Sequence, residues 1–248
     1  MIKKLFRLLK VNYFILKTRN NALINDILKF PKEILFHGSR KKNEIVRSYL
    51  SNYEFNGQKY RSKVVEEIIN NFNPEEIIET GTYLGNTLEF FSKFQITTHS
   101  IEINPEFYYI SKSRFVDADN VNLYCDDSLN VLSKIIKKKK PTLIYLDSHW
   151  YEDLPLDNEL EIINSINDVI ILIDDFKVPG NNKWKFDTYN EIELSLKDIN
   201  IPNNYSIYFP KYTPKEDGGF KSGCIFLSKG KKANKVLDSI SLIQKYLK

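Results

Sequence analysis

Between residues 60 and 175, five short apolar runs alternate with helix-like segments, and each run closes on an acid. The runs are Glu76–Thr80, with Glu79 near its end, then Thr97–Glu102, Val121–Cys125 before Asp126 and Asp127, Thr142–Asp147, and Val169–Asp174 before Asp175. The helical patterns between them are Lys63–Asn71, Thr87–Phe94, a segment opened by Pro105, Ser128–Lys137 and Leu156–Ile166. Such a rhythm predicts a mostly parallel sheet with helices on both faces, because parallel neighbours need a crossover between them. Tyr205–Phe209 and Gly223–Leu227 read as two more strands with no good helix between them, so they should return directly as an antiparallel pair.

In an open sheet of this class, ligands sit beyond the carboxyl ends of the strands. Five acidic strand ends make that edge dense in acceptors. It suits a ligand with hydroxyls, an amine and a positive centre, and suits a pyrophosphate poorly, since like charges repel. The first strand turns into its helix through Glu79-Thr80-Gly81-Thr82-Tyr83-Leu84-Gly85. Glycines there let the backbone approach a ligand where side chains would collide. The spacing is Glu-x-Gly-x-x-x-Gly, which differs from the Gly-x-Gly-x-x-Gly of dinucleotide-binding folds and points toward S-adenosylmethionine (SAM).

The composition is that of a folded chain, with 42% apolar and 13% aromatic residues in 248. The net charge of +4 hides an asymmetry: residues 1–50 carry 12 Lys and Arg against 3 Asp and Glu, leaving the remainder at −5. That remainder has no charge support for nucleic-acid binding. The segment Ile2–Lys10 reads as a basic amphipathic helix, packed on the domain or a second subunit, or touching an anionic membrane surface. The apolar-basic start lacks a continuous hydrophobic region, since Lys10 and Asn12 interrupt it; it reads as uncleaved, and the protein as cytoplasmic with no transmembrane segment. Pro31 and the cluster at 38–43 mark a boundary, giving a basic extension over 1–50 and a catalytic domain over 51–248. Cys125 and Cys224 read as buried free thiols, too few for a disulfide or zinc framework. The Lys137–Lys140 run reads as a solvated helix end.

The order of motifs resembles the class I SAM-dependent methyltransferases, in particular small bacterial enzymes related to sugar and natural-product O-methyltransferases. The resemblance spans residues 55–228. It rests on Asn56-Gly57-Gln58 and Arg61, Glu79–Thr87, Ser100-Ile101-Glu102, Asp126-Asp127-Ser128, Tyr145–Trp150, Asp153–Leu156 and Ile173–Gly180. It implies a seven-stranded, doubly wound Rossmann-like sheet with an antiparallel C-terminal strand. It also implies that Glu79, Thr80, Gly81, Thr82, Tyr83, Gly85, Asn86 and Thr87 line the methionine half of SAM, that Glu102 binds the ribose, and that Asp126 or Asp127 with Ser128 approaches the adenine. The family form at that last place is Gly-Asp-Ser, and Asp126 replaces the glycine. Asp127 reads equally as the N-cap of the following helix.

Methyltransferases acting on vicinal hydroxyls often hold a divalent cation at acids placed like Asp147, Asp174 and Asp175, so the resemblance implies Mg²⁺ here. Such an ion prefers hard oxygen ligands and makes a bound hydroxyl easier to deprotonate. The other reading gives Asp147 to the SAM amine or the substrate and leaves Asp174 and Asp175 capping a loop. Of three histidines, His149 lies two residues beyond Asp147, where it is a candidate general base, metal ligand or structural residue. His99 reads as packing within a strand. Tyr60, Arg61, Trp150, Phe176 and Lys177 are candidate substrate contacts, and the aromatic loop 176–189 could stack on a sugar or ring. The expected activity is methyl transfer to a hydroxyl of a sugar or small polyhydroxylated metabolite. Competing readings are an NAD-dependent oxidoreductase, a metal-dependent hydroxylase or hydrolase on the same fold, and a non-catalytic scaffold.

Overall fold

A computed structural model describes residues 54–149 and 154–247. The expected extension over 1–50 and Trp150 lie outside the described residues. The chain enters through a turn at Glu54–Gly57 and continues as helix α1 (Lys59–Phe72). Then follow β1 (Glu76–Thr80), α2 (Asn86–Ser92), β2 (Thr97–Ile101), α3 (Pro105–Arg114), β3 (Val121–Tyr124), α4 (Ser128–Ile135), β4 (Thr142–Leu146), α5 (Leu156–Ile163) and β5 (Val169–Asp174). The C-terminal part contributes β6 (Thr188–Tyr189), β7 (Ile192–Glu193), β8 (Ser206–Pro210), α6 (Pro214–Asp217), β9 (Cys224–Lys229), α7 (Lys231–Ser239) and β10 (Ile243–Lys245).

Eight strands form one sheet in the order β10-β8-β9-β5-β4-β1-β2-β3. The five strands β1 to β5 pair in parallel, as the alternating pattern predicts. β9 runs antiparallel to β5 and to β8. The sheet has eight strands rather than seven because β10 pairs antiparallel with the outer edge of β8. Three residues are too short to show a period, so pairing with an existing edge is what defines this strand. Every residue of β1, β4 and β5 is buried, as central parallel strands covered on both faces must be.

Local chemistry sets several element ends. Pro105 opens α3 and the Asn104 side chain accepts from the Glu106 N–H at 2.8 Å. Asp127 caps α4 by accepting from the Leu129 N–H at 2.9 Å. Helix α1 starts four residues earlier than its apolar pattern suggests, and its buried face runs Arg61, Val64, Val65, Ile68, Ile69, Phe72. Lys137 and Lys140 are not a plain solvated end. Both ammonium groups turn back to the buried Glu76 at the start of β1, at 3.3 and 2.7 Å. Cys224 is buried and Cys125 only half-buried, and the two do not form a disulfide. His99 packs in β2 with its Nδ1 2.9 Å from the Tyr124 hydroxyl.

The strand order reverses between β1 and β4, since the chain moves outward through β2 and β3 and then returns to the other side of β1. At this reversal Gly81 has φ +83°, and a Cβ built on it would stand 2.2 Å from the Asp147 carbonyl oxygen. Gly81→Ala should therefore cost about 2–4 kcal/mol, since a left-handed residue and a backbone collision are imposed together. Urea unfolding of the variant against wild type measures this.

Candidate active site

The turn after β1 is clamped from α3. Arg114 donates to the Leu84 carbonyl, to Asn86 Oδ1 at 3.0 Å and to Glu89, and Ser111 donates to the Tyr83 carbonyl at 2.7 Å. Gly85, with φ +78°, leaves the room in which Phe115 and Ser111 approach. Glu102, at the end of β2, accepts from the Tyr83 N–H at 2.8 Å and the Asn104 N–H at 2.7 Å. Thr82 pairs with Ser100 at 2.6 Å, and Ser100 also donates to Glu79. Thr87 accepts from the Phe55 N–H at 3.2 Å, which ties α2 to the entering turn. These contacts gather Glu79, Gly81, Thr82, Tyr83, Gly85, Asn86, Thr87 and Glu102 into one structure.

Glu79 is 1% exposed, and its Oε1 has no hydrogen-bond partner. Burial, with Glu102 adding to it, pushes its carboxyl up to about 8. Burial also raises Glu102. An orphaned, enclosed acid beside a close-approach glycine fits a ligand that brings its own positive charge, as SAM does. On the neighbouring strand end, Asp126 is exposed and accepts from the Asp127 N–H at 2.8 Å, whereas Asp127 serves as the helix cap. Ser128 is buried near Glu159, a fully buried acid of α5 that accepts from Ser148 at 3.0 Å and leaves Oε2 without a partner. Glu159 was not among the expected residues. A lone acid on the apolar face Leu156, Glu159, Leu160, Ile163 was its sequence signal.

At the ends of β4 and β5 the structure departs from expectation. Asp174 is 0% exposed and is taken up by donors. Arg61 Nη1 and Ser222 (3.3 Å) reach Oδ1, as does the Asp175 N–H at 2.8 Å; Tyr145 (2.6 Å) and Asn56 (3.1 Å) reach Oδ2. Arg61, expected at the substrate, is itself 0% exposed, with Nη2 donating to the Ser222 carbonyl at 2.6 Å. Burial works against its charge, and Asp174 together with Cys224, Tyr145 and Tyr212 outweighs it, so its pKa lies well above the ordinary value. Mg²⁺ does not fit these residues. The central acid is already paired with a guanidinium, and among the described residues no group of three or more His, Cys, Asp or Glu is placed to hold a metal.

The Tyr145 hydroxyl also lies 3.0 Å from Asp147 Oδ2. A phenol has one proton, so both pairings can be made only if one carboxyl carries another. Asp147 is that acid: burial, then Asp174 and Asp175, hold it well above the usual carboxylate range. Asp175 adopts a left-handed backbone (φ 50°), and its carboxyl is pushed up to about 7 by burial, Asp174 and Asp187.

His149 is 1% exposed and neither ring nitrogen has a hydrogen-bond partner. Burial lowers its pKa, against the pull of Asp174, so the ring is neutral near pH 7. Tyr189 of the β6–β7 hairpin stands edge-on to it, 6.1 Å between centroids. This hairpin turns on Asn190 and Glu191, both with positive φ, and the sequence pattern did not announce it. Elsewhere in the aromatic loop Phe176 is core and Trp184 packs on Tyr212 at 5.8 Å, while Phe186 is half-buried with the Lys177 ammonium 4.6 Å from its ring centre. Lys177 pairs with Glu193 at 2.6 Å, and Tyr60 packs on Tyr212 at 5.2 Å. Phe176, Lys177 and Tyr60 are thus engaged within the fold.

No family model matches this sequence. Solved structures do resemble the fold. A Klebsiella pneumoniae protein assigned as an O-methyltransferase superposes with a TM-score of 0.54 at 12% identity, over 89% of this chain and 96% of its own. MtNAS, solved with MTA and tNA, superposes with a TM-score of 0.50 at 14% identity, over 87% of this chain and 74% of its own. The fold is that of the class I SAM-dependent methyltransferases. Among the described residues no helix is long and apolar enough to cross a membrane.

The raised acids set a pH dependence in the ligand-free protein. Glu79 rises from 4.5 to about 8 on folding. A carboxyl raised in the folded state contributes stability below its unfolded pKa and loses it as pH climbs through the folded value. Urea midpoints should therefore fall between about pH 5 and 8, and Glu79→Gln should flatten the fall by roughly a few kcal/mol.

Proposed function

We propose that this protein is a SAM-dependent O-methyltransferase that modifies a hydroxyl of a sugar or other small polyhydroxylated metabolite. The observation that carries the reading is the turn at the strand-order reversal. There Gly81 is pressed against Asp147, and the buried Glu79 holds one oxygen free beside it, in a methyltransferase fold. The acceptor class follows the sequence resemblance and the acceptor-rich strand ends.

Bound SAM supplies a methyl group already activated on a sulfonium. Glu79 gives an amine or positive centre a carboxylate partner, and Glu102, at the end of β2, stands where ribose hydroxyls would be met. His149 accepts the proton of the acceptor hydroxyl. Its neutral state and orphaned nitrogens make it a base whose partner only a ligand provides. Asp147 spends its proton on the Tyr145 hydroxyl, and its unpartnered Oδ1 is left to accept a hydrogen bond from the same acceptor. The enclosure of His149 beneath Tyr189 keeps water from competing. No metal step is part of this reading. The acidic edge weighs against an NAD pyrophosphate.

Titration calorimetry with SAM, S-adenosylhomocysteine and NAD tests the cofactor. SAM should bind with proton release near pH 7, read from buffers of different ionisation enthalpy, because a cationic ligand ionises Glu79. Glu79→Gln should weaken binding by about tenfold or more. NAD binding without SAM binding would refute the reading. Once an acceptor is found by screening polyhydroxylated compounds for a mass gain of one methyl, His149→Gln should lower kcat by about 10²–10⁴. The wild-type rate should rise with pH and level off below the ordinary histidine pKa.

A further inference from the structure

We infer that Arg61 is the resident cation of the acidic strand ends, so that Asp174 takes its charge balance from a fixed side chain and not from a divalent ion. This goes beyond the transferase reading; it rests on that reading only for its consequence in turnover, since the pairing itself can be measured without any acceptor.

Three observations combine. First, the guanidinium is fully enclosed and its Nη1 lies on Asp174 Oδ1, while Nη2 is held by the Ser222 carbonyl at 2.6 Å. A buried guanidinium without a partner is prohibitively costly, so the position is a committed pair and not a passing contact. Second, Arg61 is built into this place. Its own N–H and that of Tyr60 meet Asp217 Oδ1 at 3.3 and 2.7 Å, and Gln58 bridges Asp217 and Ser222 at 2.7 and 2.9 Å. The preceding residues Phe55, Asn56 and Gly57 are all left-handed, with φ of 49°, 59° and 73°, and from that turn Asn56 reaches Asp174. Left-handed non-glycine residues persist only where surroundings enforce them. Here Phe55 is locked edge-on against Phe90, Phe91 and Tyr145. Third, the pair reaches the neighbouring strand end, since the Tyr145 hydroxyl that meets Asp174 at 2.6 Å also lies 3.0 Å from Asp147 Oδ2.

Arg61 is thus a positioning residue. It fixes Asp174, which orients Tyr145, which in turn reaches Asp147.

The test uses the full chain, stripped with EDTA and titrated with Mn²⁺ by electron paramagnetic resonance and with Mg²⁺ by calorimetry. SAM binding is measured alongside, so that a wrong transferase reading shows separately as loss of SAM binding in wild type. Wild type should take up no Mn²⁺ at these acids and should bind SAM equally in EDTA and in Mg²⁺. Arg61→Ala, which leaves Asp174 buried without its guanidinium, should lower the melting temperature, and adding Asp174→Asn should restore most of that loss. Arg61→Lys, which keeps the charge, should stay metal-free. If Arg61→Ala does not fold, the doubly neutral Arg61→Met/Asp174→Asn variant should recover folding, because neither charge is then left alone. Mn²⁺ bound to wild type and lost on Asp174→Asn would overturn the inference. So would an Arg61→Ala variant as stable as wild type, or failure of the neutral pair to recover folding.

Discussion

The buried contact between Arg61 and Asp174 is the interaction around which the acceptor side of this protein is arranged. It joins the first helix to the end of the fifth strand, across 113 positions of sequence. Two charges removed from water are tolerable only when each is fully paired and hydrogen-bonded. The fold meets most of that demand with Ser222 from the approach to β9, Tyr145 from β4 and Asn56 from the entering turn, leaving Arg61 Nε without a partner. The left-handed turn at 55–57, the Asp217 clamp and the close approach of Gly219 to the Asn56 and Gly57 backbone hold these groups in register.

On the other side of the strand-order reversal the logic is inverted. Glu79 is buried with one oxygen left free, and its environment favours the protonated form until a cation arrives. The two halves of the edge therefore differ in how their acids are balanced. Asp174 is matched internally, whereas Glu79 keeps an oxygen with no partner within the fold. Burial drives both, and the presence or absence of a guanidinium separates them.

Much of the sheet was readable from the chain. β1 and β5 fall where the apolar runs place them, and β2, β3 and β4 differ by a single residue at their ends. A fully buried strand declares itself by composition without help from its neighbours. The elements that were not readable, β10, the β6–β7 hairpin and α7, are short and lie at the periphery. What defines them is an edge to pair with or a surface to cover. In the site, the residue types and their order along one edge were legible, and Glu79, Glu102 and His149 lie at strand ends as expected. The metal reading rested on residue types alone, and nothing in Asp147, Asp174 and Asp175 reveals that Arg61, 113 positions before Asp174, is already paired with it.

The sequence by itself determined the parallel α/β sheet, the acidic carboxyl edge and the glycine turn, because hydrophobic period and glycine placement are local properties that act wherever the chain goes. Only the tertiary structure decided what each acid does. A carboxylate next to a guanidinium, one sharing a phenol proton and one sealed with a free oxygen are the same residue types in the sequence. Their protonation and their partners depend on distance and burial between segments remote in the chain, and those exist only once it has folded.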